Sequence, residues 1–97
     1  MLWTVYCKNT PHPGDLRSRF FESHMTHLNA CPLKILVGGP LTSDDGQSAL
    51  GSFLIFEAES RKDVEEVVFQ DPFFTSGLWE SVEILGFRMV RSTLEKP

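Results

Sequence analysis

The chain has 97 residues, 41% of them apolar, and a formal net charge of −4. That length accommodates one domain with one core, residues 1–97. The acidic balance, with nine scattered Lys and Arg and no basic run longer than Arg61-Lys62, argues against a nucleic-acid module, and no stretch of about 18 apolar residues exists to cross a membrane.

The opening segment Met1–Tyr6 is too short and too uncharged for a signal peptide, so the expectation is a cytoplasmic chain, and it reads as a strand running from Leu2 to Cys7. Asn9 to Gly14 holds two prolines and a glycine and reads as a loop. Asp15 is the expected N-cap of a helix from Leu16 to Ala30. On that helix Leu16, Phe20, Phe21, His24, His27 and Leu28 share one broad face, and Pro32 ends it. Lys34 to Leu41 is an apolar run closed by Gly38-Gly39-Pro40 and reads as a second strand; Ser43 to Gln47 has turn chemistry. Ala49 to Ala58 reads as a central strand. Ser60 caps a second helix over Arg61 to Phe69, with Val64, Val67 and Val68 inward. Asp71-Pro72 stops that helix, Phe73 to Gly77 is a short turn or helical piece, and Ser81 to Val90 is the last strand. The polar tail from Ser92 to Pro97 is expected to be loose.

The order β-α-β-β-α-β is that of an α+β, ferredoxin-like domain, an antiparallel sheet with two helices on one face. The third strand is apolar in both parities: Leu54 and Phe56 on one face, Phe53 and Ile55 on the other. A sheet apolar on both faces is expected to pack against a second sheet, most simply in a twofold homodimer. Cys7 and Cys31 match no metal spacing and read as reduced small hydrophobes.

An ordered set of motifs points further. Arg17 and His24 lie on the first helix, a strand ends in Gly38-Gly39-Pro40-Leu41, Gly51-Ser52 opens the next, and Asp71-Pro72-Phe73 is followed by Gly77-Leu78. From Leu2 to about Val90 the chain resembles the YciI-like (YCII-related) family. The resemblance implies a dimeric α+β barrel of two ferredoxin-like protomers and an active site around the helix histidine and the Asp-Pro aspartate, which carry over to His24 and Asp71. A related member acts as a dehydrochlorinase on a chlorinated hydroxyquinol, and the architecture is similar to that of muconolactone isomerases. These precedents imply proton transfer on small cyclic or aromatic compounds, with no metal and no cofactor.

An imidazole titrates near neutrality and can accept and return a proton, provided its other nitrogen is oriented. Asp71 is the candidate orienter; read otherwise, His24 is a satisfied core histidine and Asp71 a turn-forming residue before proline. Arg17 is a candidate for an anionic substrate group or a solvated surface arginine. The Ser52 hydroxyl either binds substrate or ends a hydrogen-bond ladder. Phe73, with Phe20, Phe21, Phe74 and Trp79, either lines an apolar cleft near His24 or belongs to the core. His27 stands one turn beyond His24; without a third ligand at a suitable spacing it reads as an exposed rim residue rather than a metal ligand, and His12 as plain surface. The expectation is a small metal-independent acid/base enzyme, a lyase, isomerase or dehydrochlorinase, working on a small organic ligand. His24 and Asp71 would be catalytic and Arg17, Ser52 and Phe73 substrate-binding. The alternative is a non-catalytic dimeric module that binds a small ligand or a partner protein.

Overall fold

The computed structural model describes residues 1–94. Its elements are β1 (Leu2–Asn9), α1 (Leu16–Ala30), β2 (Lys34–Thr42), β3 (Ala49–Glu57), α2 (Arg61–Val68), the single turn α3 (Pro72–Thr75) and β4 (Trp79–Phe87). The four strands form one antiparallel sheet in the order β2-β3-β1-β4. The domain is therefore the α+β ferredoxin-like arrangement that the element order predicts.

Period-two alternation builds the core. Val5 and Cys7 on β1, Leu54 and Phe56 on β3 and Ile84 on β4 point to the same side of the sheet and are buried. Val64, Val67 and Val68 of α2, with Phe73, Leu78 and Trp79, close over them. Ser60 accepts a hydrogen bond from Asp63 N–H, so α2 begins as its capping pattern requires. On the opposite side of the sheet, Tyr6, Leu85 and Phe87 are exposed apolar side chains.

Several boundaries differ from the sequence reading. Asp15 precedes α1, but its side chain caps nothing; its carbonyl accepts from Ser18 Oγ and Arg19 N–H instead. Phe21 is 51% exposed, so the inward stripe of α1 is narrower than its apolar content suggests. The strand β1 runs to Asn9, where a bulge against β4 lets Asn9 pair with Trp79. β4 accordingly starts at Trp79 rather than Ser81, and it ends at Phe87 rather than Val90. Gly77, at φ +87°, makes the left-handed turn that brings the chain out of α3 into Leu78. Ser92 to Leu94 have no regular structure; residues 95–97, the rest of the tail expected to be loose, lie outside the described residues.

Gly51 has no room for a side chain: a Cβ there would collide with the Cys7 carbonyl of the neighbouring strand. Gly51→Ala is therefore expected to destabilise the fold by about 2–4 kcal/mol, as steric insertions against backbone do. Gly86→Ala, whose Cβ would press only on the flexible tip of Met1 and make ordinary contact with the Trp3 ring, serves as the tolerated control. Urea melts of the two variants check the difference.

Candidate active site

His24 is the one buried residue of α1, although it is polar. Asp71 follows α2 and immediately precedes Pro72; the proline holds it extended, at φ −66° and ψ 133°, and makes it the N-cap of α3. Both carboxylate oxygens lie 2.8 Å from His24 Nδ1, and Oδ1 also accepts the Phe73 N–H at 2.8 Å. Asp71 is 1% exposed. A carboxylate so buried needs donors, and these two supply them.

The imidazole is fixed in plane as well as at one nitrogen. It stacks on the Phe73 ring with centroids 3.9 Å apart and 7° between planes, and Trp79 meets it edge-on at 5.9 Å. With the Asp71 carboxylate accepting from Nδ1–H, the neutral ring carries its lone pair on Nε2. Nε2 has no protein partner among the described residues, yet it is not sealed off from solvent.

His24 opens onto a cavity of about 300 Å³ between α1 and the β2–β3 edge of the sheet. The helix contributes Arg17, Phe21, His24, Met25, Leu28 and Asn29; the sheet contributes Ile35, Gly38, Gly39, Pro40, Ser52 and Leu54. Arg17 reaches in from the first turn, with its guanidinium 5.1 Å from the Phe73 ring centre and Nη2 donating to Ser52 Oγ at 3.5 Å. Burial lowers the Arg17 pKa below its ordinary value.

All five candidate residues thus come together, in two layers. Arg17, His24 and Ser52 line the cavity; Asp71 and Phe73 stand behind the imidazole, so Phe73 supports the ring instead of presenting a surface to a ligand. Of the other aromatics considered for the cleft, only Phe21 lines it; Phe20, Phe74 and Trp79 pack against or within the core. His27 is not an exposed rim residue. It is half-buried, and its Nε2 lies 2.7 Å from the Val67 carbonyl, pinning α1 to α2. His12 is exposed. Among the described residues no group of three His, Cys, Asp or Glu is placed to hold a metal ion, and no helix is long and apolar enough to cross a membrane, which says nothing of β-barrels. Met25 and Asn29 were missed as cavity residues, although Arg17, Phe21, Met25 and Asn29 form an i, i+4 row that carries the signal.

A ferredoxin-like domain with a buried histidine–carboxylate pair at the wall of a small cavity defines the class. No curated protein matches the chain in sequence. The YCII-related domain family, however, matches over residues 1–88, and the chain belongs to that family. Among solved structures it is similar to 5-chloro-2-hydroxyhydroquinone dehydrochlorinase from Burkholderia phenoliruptrix in complex with 2,5-dihydroxybenzoquinone. The TM-score is 0.77 and the identity 36%, over 91% of this chain and 94% of that one. A protein of unknown function from Nitrosomonas europaea matches with TM-score 0.59 and 18% identity, over 99% of this chain and 94% of that one. A cofactor-independent oxygenase from Streptomyces nogalater matches with TM-score 0.53 and 12% identity, over 97% and 96%. These last two bear on the fold alone.

Cys7 is wholly buried, and burial, followed by the negative charge of Asp71, pushes its thiol up to about 12. It is thus no thiolate nucleophile near neutral pH. In the native protein an alkylating reagent is expected to modify the half-buried Cys31 and spare Cys7, as mass mapping would read. The folded pKa is raised, so this group's stabilisation is complete below the unfolded value of 9.0 and declines as pH rises from there toward about 12. Cys7→Ser, which removes that titration, should flatten the alkaline part of the stability profile.

Proposed function

We propose that this YCII-family protein is a small acid/base enzyme, a lyase, isomerase or dehydrochlorinase, acting on a small organic molecule. The observation that carries the reading is the Asp71-held imidazole whose free Nε2 faces a cavity. His24 Nε2 takes a proton from the bound substrate, and Asp71 steadies the imidazolium that results. Phe73 and Trp79 keep the ring in the orientation needed for the transfer. Ser52 contacts the substrate from the sheet wall, and Arg17 from the same helix as His24. The similarity to a dehydrochlorinase supports a reaction of this kind: in loss of HCl the base receives the proton and chloride departs with the electrons of its bond to carbon, so no electron acceptor is required.

The same fold supports a homodimer. Tyr6, Leu85 and Phe87 lie on the sheet face that the helices do not cover, and they are 46%, 52% and 37% exposed in the monomer. A second copy, laying its own such face against this one, removes that apolar surface from water. The alternative reading, a dimeric module that binds without turnover, is favoured by the apolar part of the cavity wall, Phe21, Met25, Leu28, Ile35 and Leu54.

Chloride release from 5-chloro-2-hydroxyhydroquinone, and proton exchange on related single-ring hydroxy compounds, test the chemistry. His24→Gln is expected to abolish turnover while leaving the fold and association intact. Asp71→Asn should lower kcat about a hundredfold or more with a smaller change in KM. Turnover undiminished in His24→Gln would refute the assignment, and tight binding with no turnover in the wild type would favour the module. Leu85→Asp should convert a dimer into a monomer, as read by sedimentation; a wild type that sediments as a monomer at micromolar concentration overturns the dimer.

A further inference from the structure

We infer that the cavity beside His24 takes an organic anion of about one ring in size, and that the guanidinium of Arg17 receives its charge. The inference rests on the acid/base reading only for where the reacting atom lies. Arg17 makes no ion pair among the described residues, where His24 with Asp71 is the one such pair. Its Nη1 is buried with no hydrogen-bond partner, and Nη2 has only the long bond to Ser52 Oγ. A positive charge drawn into protein without a counterion is costly unless a ligand completes it.

The surroundings leave that role open to a ligand. The chain carries 13 Asp and Glu, yet no acidic side chain lines this cavity. Asp71 is turned to the far side of the imidazole and is already engaged by His24 and the Phe73 N–H. Guanidinium donors form a planar fork suited to a carboxylate, or to the paired oxygens of an ionised hydroxyquinone. Phe21, Leu28 and Leu54 supply apolar wall for the carbon skeleton, and a volume of about 300 Å³ is at the small end of ligand sites. An anion seated on Arg17 spans toward Ser52 and places its remaining atoms before His24 Nε2. Arg17 is thereby a specificity-determining residue: it selects charged substrates over neutral ones of the same shape.

Titration calorimetry with a matched pair of probes tests this. 2,5-Dihydroxybenzoquinone is a vinylogous acid and an anion at neutral pH; its dimethyl ether has nearly the same skeleton and no charge. The wild type is expected to bind the anion at least about tenfold more tightly than the ether. Arg17→Met should erase that preference, the two probes then binding alike, and Arg17→Lys, which keeps the charge but not the fork, should retain part of it. Equal affinity of the wild type for the two probes, a preference that survives Arg17→Met, or no heat from either probe at millimolar concentration would each overturn the inference. The readout is binding and not turnover. A wild type that shows the Arg17-dependent preference but no catalysis therefore fails the acid/base reading and sustains this one; catalysis without the preference does the reverse.

Discussion

Asp71 is a carboxylate with almost no water around it, and the way it is satisfied ties three parts of the chain together. Its oxygens accept from an imidazole on α1 and from the first turn of α3, while Pro72 holds its own backbone extended. Leaving one of these donors out would expose the full desolvation penalty of a buried charge, about several kcal/mol. The pair therefore acts on the fold as well as on the site. Helix α1 cannot slide along the sheet, and α3 cannot lift away, without breaking a bond that water does not readily replace. Phe73 adds to the constraint, because the residue that donates its N–H to Asp71 also lays its ring under His24.

The layering explains how one small domain keeps an imidazole both rigid and accessible. Asp71, Phe73 and Trp79 occupy the dry side of the imidazole, where close packing fixes the ring. Nε2 is left on the other side, where β2 contributes Gly38 and Gly39 and so places little side-chain bulk. Cys7 lies near the dry side, which is why its thiol feels both burial and the Asp71 charge. The cavity side carries the Arg17 guanidinium, which has no ion-pair partner among the described residues.

Much of this was legible in the residues, for physical reasons that differ from element to element. Strand alternation and the Asp71-Pro72 break are local signals, and they placed α1, β2, β3 and α2 to within a residue or two. A histidine inside an apolar stripe and an Asp-Pro break drew attention to His24 and Asp71, and the resemblance to the YCII-related family tipped the reading toward a site. Non-local facts were not legible. The bulge that pairs Asn9 with Trp79 moved the start of β4, and no sequence window contains both residues. His27 found the carbonyl of Val67 forty positions away, a main-chain partner that carries no side-chain signature. Met25 and Asn29 looked like ordinary helix positions because the space they border depends on glycines in β2.

The stability of α1 shows a less obvious dependence. Its apolar residues are at most partly covered, and its one buried side chain is His24. The helix is therefore docked through a polar contact to Asp71 and an aromatic contact to Phe73, with His27 as a second polar tether, more than through a broad hydrophobic seam. A wider seam would add stability, since each buried aliphatic side chain contributes about 1.5–3 kcal/mol, but it would require filling the gap between α1 and β2–β3. The cavity exists because that gap is left open. The residue with which the site would do its chemistry is thus also the residue that anchors the helix bearing it, and substitutions there test packing and function together unless the replacement preserves both volume and the bond to Asp71.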